Sequence, residues 1–289
     1  MSTSLDIVIV SYRGTELLRR CLLSLREHAD GPGTTVTVVD NASGDGTAEM
    51  VAAEFPEVHL LAQDENLGFS RAQNIGISGG TGELVLVLNP DAAIEASTLP
   101  PLLELMASDP RIGCAGPMLV REDGSLDHAA RRSFPTPLSA LGHFTGVGRR
   151  MERGALAAYR APDVERGPVD AVNGAFMLMR RSALDEVGLF DEGYWMYMED
   201  LDLCKRLQDA GWITFYESRS RAIHTKAGTT EGRRGPRLNI AFHRGMGRFY
   251  RRHQAPGNGA FTNLAVYAGI GAKLAVSMSR EALRGPARD

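Results

Sequence analysis

The chain has 289 residues, 43% hydrophobic and 23% charged, with 32 Lys and Arg against 35 Asp and Glu for a net charge of −3. That balance gives no reason to expect a nucleic-acid partner, and the apolar content excludes both a polytopic membrane protein and a disordered chain. Cys21, Cys114 and Cys204 lie far apart with no CxxC pair, so they read as buried free thiols, not as a zinc site or a disulfide framework. The first residues carry no basic run ahead of a long apolar core, so no secretion signal is expected and the cytoplasm is the expected compartment.

In chain order, short β-branched runs alternate with helix-like stretches. Leu5–Val10 predicts a strand, and Leu17, Leu18, Cys21, Leu22 and Leu25 then recur at helical spacing. Thr35–Val39 predicts a second strand, and Thr47–Phe55 a helix behind a Gly-Asp-Gly turn. Val58–Leu61, the helix Phe69–Ser78 and the strand Leu84–Leu88 follow. Leu84–Leu88 has no polar position, as expected where helices cover both faces of a parallel sheet. Such alternation implies right-handed βαβ units in an open, mostly parallel α/β sheet. The stretch from about Arg121 to Pro168 is rich in Pro, Gly and Arg and reads as a variable insertion over the site. Beyond it come an apolar strand over Val169–Met179, an aromatic run Tyr194-Trp195-Met196-Tyr197 and a helix from Glu199 to Ala210. The strand Ser220–Ile223, a basic amphipathic helix over Ile240–His253 and the apolar segment Phe261–Met278 complete the chain.

Ligands of open sheets bind beyond the carboxyl ends of the strands, so the residues there carry the argument. They are Ser11-Tyr12-Arg13, Asp40-Asn41-Ala42-Ser43, Asn66-Leu67-Gly68-Phe69 and Asn89-Pro90-Asp91. None has GxGxxG or GxxxxGK[ST], which argues against a dinucleotide dehydrogenase and a P-loop NTPase. Asp91 is a carboxylate at a strand terminus, either an Asx turn or an oxygen ligand for a hard divalent cation. Glu199-Asp200-Leu201-Asp202 opens a helix, where acids are favoured by the dipole and Glu199 or Asp202 needs no further role. Trp195 and Tyr197 just before it would present flat amphipathic surfaces to a sugar, which singles out a catalytic carboxylate here. His224 closes its strand and is either structural or a ligand partnered by a carboxylate such as Asp91.

The order of these motifs resembles the family-2 glycosyltransferases, which have the GT-A fold. The matching pieces are Ile7–Tyr12, Val38–Ser43, Asn66–Phe69, Asn74-Ile75-Gly76, Leu88–Asp91, Val172–Ala175, Phe190-Asp191-Glu192, Met198–Cys204 and His224. Within the family the look is that of bacterial rhamnosyltransferases of cell-wall and polysaccharide assembly. The resemblance covers roughly residues 5–225. It implies a glycosyltransferase domain over 1–225, with a nucleotide-sugar half to about 95 and an acceptor half over 96–225. Residues 226–289 would form a basic and apolar helical extension.

Residue by residue, the resemblance implies that Ser11, Tyr12 and Arg13 line the base and ribose pocket. Asp40 accepts a hydrogen bond from the pyrimidine imide, and Asn66, Gly68 and Phe69 support the nucleotide. Asp91 matches the last acid of the family's Asp-X-Asp motif and would ligate Mg²⁺ or Mn²⁺ with His224. The first position of that motif is Asn89 here, so one carboxylate is missing. Asn173 and Gly174 would face the donor sugar, Asp200 would be the general base, and Trp195, Tyr197 and Glu199 would lie on the acceptor side. The implied reaction is an inverting transfer from a nucleotide-sugar, dTDP-L-rhamnose or a UDP-sugar, to a lipid-linked or small-molecule acceptor. A nucleotide-sugar binding subunit without catalysis is the alternative from another class. In the C-terminal helix, Arg244, Arg248, Arg251 and Arg252 fall opposite Phe242, Met246, Phe249 and Tyr250. This pattern predicts peripheral contact with the inner face of the cell membrane, and Phe261–Met278 an interfacial segment or a homodimer contact.

Overall fold

The computed structural model describes residues 3–29, 31, 33–136, 164–225 and 235–284. Strand β1 (Leu5–Ser11) is buried along its whole length. It pairs in parallel with β2 (Thr34–Asp40) on one side and β4 (Leu84–Leu88) on the other, and β3 (His59–Ala62) extends the parallel set beyond β2. Alternation sorts these strands between two cores. Ile7, Ile9, Leu84, Leu86 and Leu88 face Leu18, Cys21, Leu22 and Leu25 of helix α1 (Thr15–His28), while Val8, Val85 and Val87 face Ile77 of α3 (Phe69–Ser78). Helix α2 (Thr47–Glu54) adds Met50 and Val51 to the first core. All three cysteines are buried free thiols.

Beyond β4 the sheet becomes mixed. The neighbours in order are β10 (Phe176–Arg180), β6 (Ile112–Val120), β11 (Ile213–His224) and β5 (Ala92–Ile94), with β8 (Gly167–Pro168) paired to β11. β10 runs antiparallel to both β4 and β6, and β6 runs parallel to β11. The ends of β1, β2, β4, β6 and β11 therefore share one edge with the start of β10. A small ribbon, β7 (Arg131–Arg132) with β9 (Ala171–Val172), lies beside it. Helices α4 (Leu99–Ser108), α5 (Arg181–Val187) and α6 (Glu199–Asp209) cover this half. The single strand expected over Val169–Met179 is two, broken at Asn173-Gly174, where Phe176 N–H bonds back to the Asn173 carbonyl at 3.0 Å. β6 and β5 are further strands, and residues 137–163 of the expected insertion lie outside the described residues.

Helices α7 (Pro236–His253) and α8 (Ala260–Arg284) follow. The apolar side of α7 packs on the domain, with Phe249 and Tyr250 buried. Its arginines are not all outward, as the sequence pattern predicts. Arg248 and Arg252 both pair with Asp191, at 2.7 and 2.6 Å, because the long side chains reach back to an acid on the domain. Arg244 and Arg251 are exposed, and so is Arg252 despite its pairing; Arg248 is half-buried. Among the described residues no helix is long and apolar enough to cross a membrane.

One glycine fixes how closely α3 approaches the sheet. A Cβ at Gly76 would run into Val8 and lie 3.2 Å from Val39. Gly76→Ala should lower the thermal midpoint by an amount matching the roughly 1–3 kcal/mol of an overpacked core. Thermal unfolding followed by circular dichroism checks this, and an unchanged midpoint would mean that α3 can lift without cost.

Candidate active site

Ser11 and Asp40 end neighbouring strands in register. Both are buried, and among the described residues neither Ser11 Oγ nor Asp40 Oδ1 has a hydrogen-bond partner. Buried polar atoms are rarely left so, which marks this corner as a place for a polar ligand. The turns that follow are held in left-handed backbone, at Arg13 (φ 59°) and Ala42 (φ 61°), and are tied by an Arg13 N–H bond to Ser43 Oγ at 2.8 Å. Arg13 also lies over the Tyr12 ring, its guanidinium 5.2 Å from the centroid. Asn41 braces the next turn. Its Nδ2 donates to Asn66 Oδ1 at 3.1 Å and to the Gly68 carbonyl at 3.2 Å, and its Oδ1 accepts from Leu67 N at 2.9 Å.

Gly68 (φ 82°) packs so tightly on Trp195 that a Cβ would meet its carbonyl and ring. Phe69 N–H donates to that same carbonyl at 2.7 Å. Trp195 is thus placed between the third-strand turn and Arg237, whose guanidinium lies 4.2 Å from the ring centroid. Tyr197 (φ 72°) and Met198 (φ 75°) are both left-handed, a costly backbone for non-glycine residues. α7 packs on this turn. Gly245 approaches so closely that a Cβ would lie 2.9 Å from the Tyr197 carbonyl, and Phe242 meets Tyr197 edge-on at 5.8 Å.

The strained turn delivers Glu199, Asp200 and Asp202 to the first turn of α6, all buried. Their surroundings differ. Asp202 accepts from Arg206 Nε at 2.8 Å, His253 Nε2 at 2.7 Å and Tyr194 Oη at 3.2 Å. Burial pushes its carboxyl up, but the hydrogen bonds from His253 and Arg206 outweigh that and hold it below the usual carboxylate range. It is a structural carboxylate. Asp200 Oδ2 accepts from Gly174 N at 2.9 Å and pairs with Arg132, while Oδ1 accepts from Leu201 N at 2.8 Å. A Cβ at Gly174 would lie 3.2 Å from Asp200 Oδ2, so glycine lets the β9–β10 turn lie against this acid. Glu199 has no bond to Oε2, and burial followed by the charge of Asp200 pushes it up to about 8.

Asp91 and His224 meet across the β5–β11 pairing. His224 Nε2 lies 3.4 Å from Asp91 Oδ1, and Nδ1 lies 3.2 Å from Asp127 Oδ2. Burial alone would depress the imidazole. The bonds to Asp127 and Asp91 outweigh it and raise His224 to about 9. Asn89 N–H donates to the Ala175 carbonyl at 2.9 Å, and Asn173 Oδ1 accepts from Ala175 N at 2.9 Å, so the two turns of the edge are joined.

Every residue singled out from the sequence therefore lies on this one edge or on the turn packed against it. Two were missed. Arg132 carries no local signal, since its partner is Asp200, far along the chain. Asp127 follows β6 by a short hairpin in which its N–H bonds to the Leu119 carbonyl at 2.9 Å. Recognising Ile112–Val120 as a strand would have drawn attention to it.

A family model described as glycosyl transferase family 2 matches residues 6–188. The chain belongs to glycosyl transferase family 2. It is 35% identical over 257 residues to the N-acetylglucosaminyl-diphospho-decaprenol L-rhamnosyltransferase of Mycobacterium tuberculosis, covering 84% of this chain and 82% of that one. It is 27% identical to the rhamnosyltransferase WbbL of Escherichia coli K12, over 75% of this chain and 82% of the relative. Among solved structures it is similar to a mannosyltransferase of Pyrobaculum calidifontis in complex with GDP-Man and Mn²⁺, with TM-score 0.60 and 19% identity. That match covers 99% of this chain and 76% of the other. It also matches GalNAc-T7 with UDP, GalNAc and Mn²⁺ at TM-score 0.58 and 18% identity, over 77% of this chain and 44% of that one. These likenesses establish the GT-A fold, and the chain is a glycosyltransferase with rhamnosyltransferase relatives.

Two expectations follow for the family-2 site. Glu199 is more basic folded than unfolded, so the stability it contributes is complete below about pH 4.5 and is lost as pH rises through about 8. Glu199→Gln should therefore raise the thermal midpoint relative to the parent at pH 9 and leave it nearly unchanged at pH 4.5. A gain that is equal at both pH values would show that Glu199 is not the titrating group. For Arg132, replacement by Gln leaves Glu199 and Asp200 without their cation, and kcat should fall by roughly 10-fold or more, with Lys recovering part of it. Full kcat in Arg132→Gln would show that the pair does not serve the reaction.

Proposed function

We propose that this glycosyltransferase moves a sugar, L-rhamnose from dTDP-L-rhamnose, to a lipid-linked acceptor with inversion at the anomeric carbon, working at a membrane surface. The observation that carries the reading is the buried Asp200, the one first-turn acid of α6 set against the glycine turn before β10. The relatives' printed activities support the donor sugar and the diphospho-decaprenol type of acceptor. A UDP-sugar donor is the second reading, favoured by the UDP-bound neighbour.

In this reading Ser11, Tyr12, Arg13 and Asp40 hold the nucleotide, with Asn66, Gly68 and Phe69 as its floor. Asn89, Asn173 and Gly174 lie along the sugar. Asp200 takes the proton of the acceptor hydroxyl as that oxygen attacks the anomeric carbon. The bond from that carbon to the diphosphate oxygen breaks as the new bond forms, and the nucleoside diphosphate leaves with the electron pair. Arg132 holds the carboxylate for this work, so the acceptor hydroxyl has to take its place on Oδ2. Glu199, raised to about 8, keeps its proton at neutral pH and does not compete as base.

Asp91 and His224 fit a divalent cation, Mg²⁺ or Mn²⁺. One carboxylate oxygen and one imidazole nitrogen face each other at 3.4 Å, and with Asp127 orienting the ring through Nδ1 a cation would take the place of the Nε2 proton that bonds to Asp91. Among the described residues no group of three or more acids, histidines or cysteines could hold a metal ion, so these two residues would hold a cation only together with oxygens from the bound donor. Such a cation would stabilise the charge of the departing diphosphate without proton transfer. Residues 1–225 form the transferase domain, divided at about residue 95, and the C-terminal helices brace it.

Asp200→Asn should lower transfer by about 10²–10⁴-fold while nucleotide affinity stays near that of the parent. EDTA should stop turnover, and Mg²⁺ or Mn²⁺ should restore it. Transfer assays with dTDP-rhamnose and a panel of UDP-sugars, alongside calorimetric nucleotide binding, check both. A third of the parent activity in Asp200→Asn would move the base elsewhere, and full turnover in chelator would remove the cation.

A further inference from the structure

Among the described residues, helix α8 is held to α7 by one side. Tyr250 Oη donates to Asn263 Oδ1 at 2.6 Å, the Tyr250 and Tyr267 rings meet edge-on at 5.5 Å, and Asn239 Nδ2 donates to Ser277 Oγ at 2.7 Å. The other side is open. Phe261, Leu264, Ala268, Ala272, Val276 and Leu283 recur at three-, four- and seven-residue steps and are all exposed, Phe261 at 91% and Leu283 at 87%. The stripe runs nearly the full helix and carries no charge. Large apolar patches on a soluble surface mark an interaction site.

The charge around the stripe says what covers it. Residues 235–284 hold eight arginines and lysines against a single acid, Glu281, although the chain as a whole is net −3. Of these, Arg237, Arg244, Arg251, Arg252 and Arg280 are exposed, Arg252 while paired with Asp191. In a symmetric dimer of these helices each copy would bring the same excess of positive charge, and like charges would oppose the contact. An anionic surface has the opposite effect. The helix is long enough to cross a bilayer at 25 residues, yet Lys273, Arg280 and Glu281 interrupt it and it does not qualify as a span. An amphipathic helix of this kind lies in the interface with its apolar side down.

We infer that the outward face of α8 inserts into the interfacial layer of an anionic lipid bilayer, drawn there by the exposed arginines of α7 and α8. The inference rests on the lipid-linked-acceptor reading for its use, since it would bring the site to the lipid that carries the acceptor. The binding itself needs neither donor nor acceptor.

Flotation of the full chain tests it. The protein should rise with vesicles of phosphatidylcholine mixed with phosphatidylglycerol at low salt, and much less with phosphatidylcholine alone. High salt should weaken the binding by screening the exposed charges. The double variant Phe261→Asp/Leu264→Asp should partition on the order of a hundredfold less, since two apolar side chains lose their burial. Its far-UV circular dichroism and its donor hydrolysis should match the parent, because both side chains are exposed and far from α6 in sequence. Arg244→Glu/Arg251→Glu should weaken binding to the anionic vesicles alone. The inference is overturned if the parent stays at the bottom with both vesicle types, or if the double variant floats as well as the parent. It is also overturned if the parent sediments as a dimer that the double variant breaks while neither binds vesicles. Flotation without transfer to any lipid-linked acceptor would leave this inference standing and remove the acceptor reading.

Discussion

The site depends on one pairing, that of β10 against β4. Because β10 runs antiparallel, with Phe176 opposite Leu88, the residues before β10 meet those after β4. Asn89 N–H bonds to the Ala175 carbonyl at this junction. The Asn-Pro-Asp turn is thereby fixed beside Asn173-Gly174, and through the Gly174 N–H beside Asp200. Had β10 been parallel, its preceding turn would lie at the opposite edge. β6 and β11 then run with β4, which returns Asp127 and His224 to the same edge as Asp91.

Three acids in one helical turn acquire three different states from their surroundings. Asp202 is surrounded by donors from Arg206, His253 and Tyr194 and holds the helix. Asp200 has one guanidinium and two backbone N–H groups, a set that orients a carboxylate without enclosing it. Glu199 has burial and a like charge beside it, which keeps its proton on. Position in the helix contributes little to this, since the dipole favours all three alike.

The C-terminal helices belong to the site's support. His253 reaches Asp202 at the start of α6, Arg248 and Arg252 hold Asp191, and Gly245 lies against the Tyr197 carbonyl. The turn bearing two consecutive left-handed residues is clamped between Gly68 after β3 and Gly245 on α7. Such a backbone persists only where packing on both sides determines it.

The sequence by itself determined the first half of the sheet and most of the edge. Ile7 to Val10 and Leu84 to Leu88 are apolar on both faces, as suits a sheet covered by helices on both sides, and polar residues after such strands converge at one edge. It also marked Asp91, Asp200 and His224, since acids and imidazole at element ends are chemically conspicuous. Tertiary structure decided what spacing cannot encode. Whether Asp200 or Asp202 is the structural acid depends on His253 and Arg206 arriving at one and Arg132 at the other. Asp127 and Arg132 were invisible because each acts through a partner distant in sequence. Arg248 and Arg252 looked like Arg244 and Arg251 on a helical wheel, and only the position of Asp191 gives those two an ion pair with the domain. Periodicity specifies which side of an element is apolar; which partner covers each side is a property of the assembled chain.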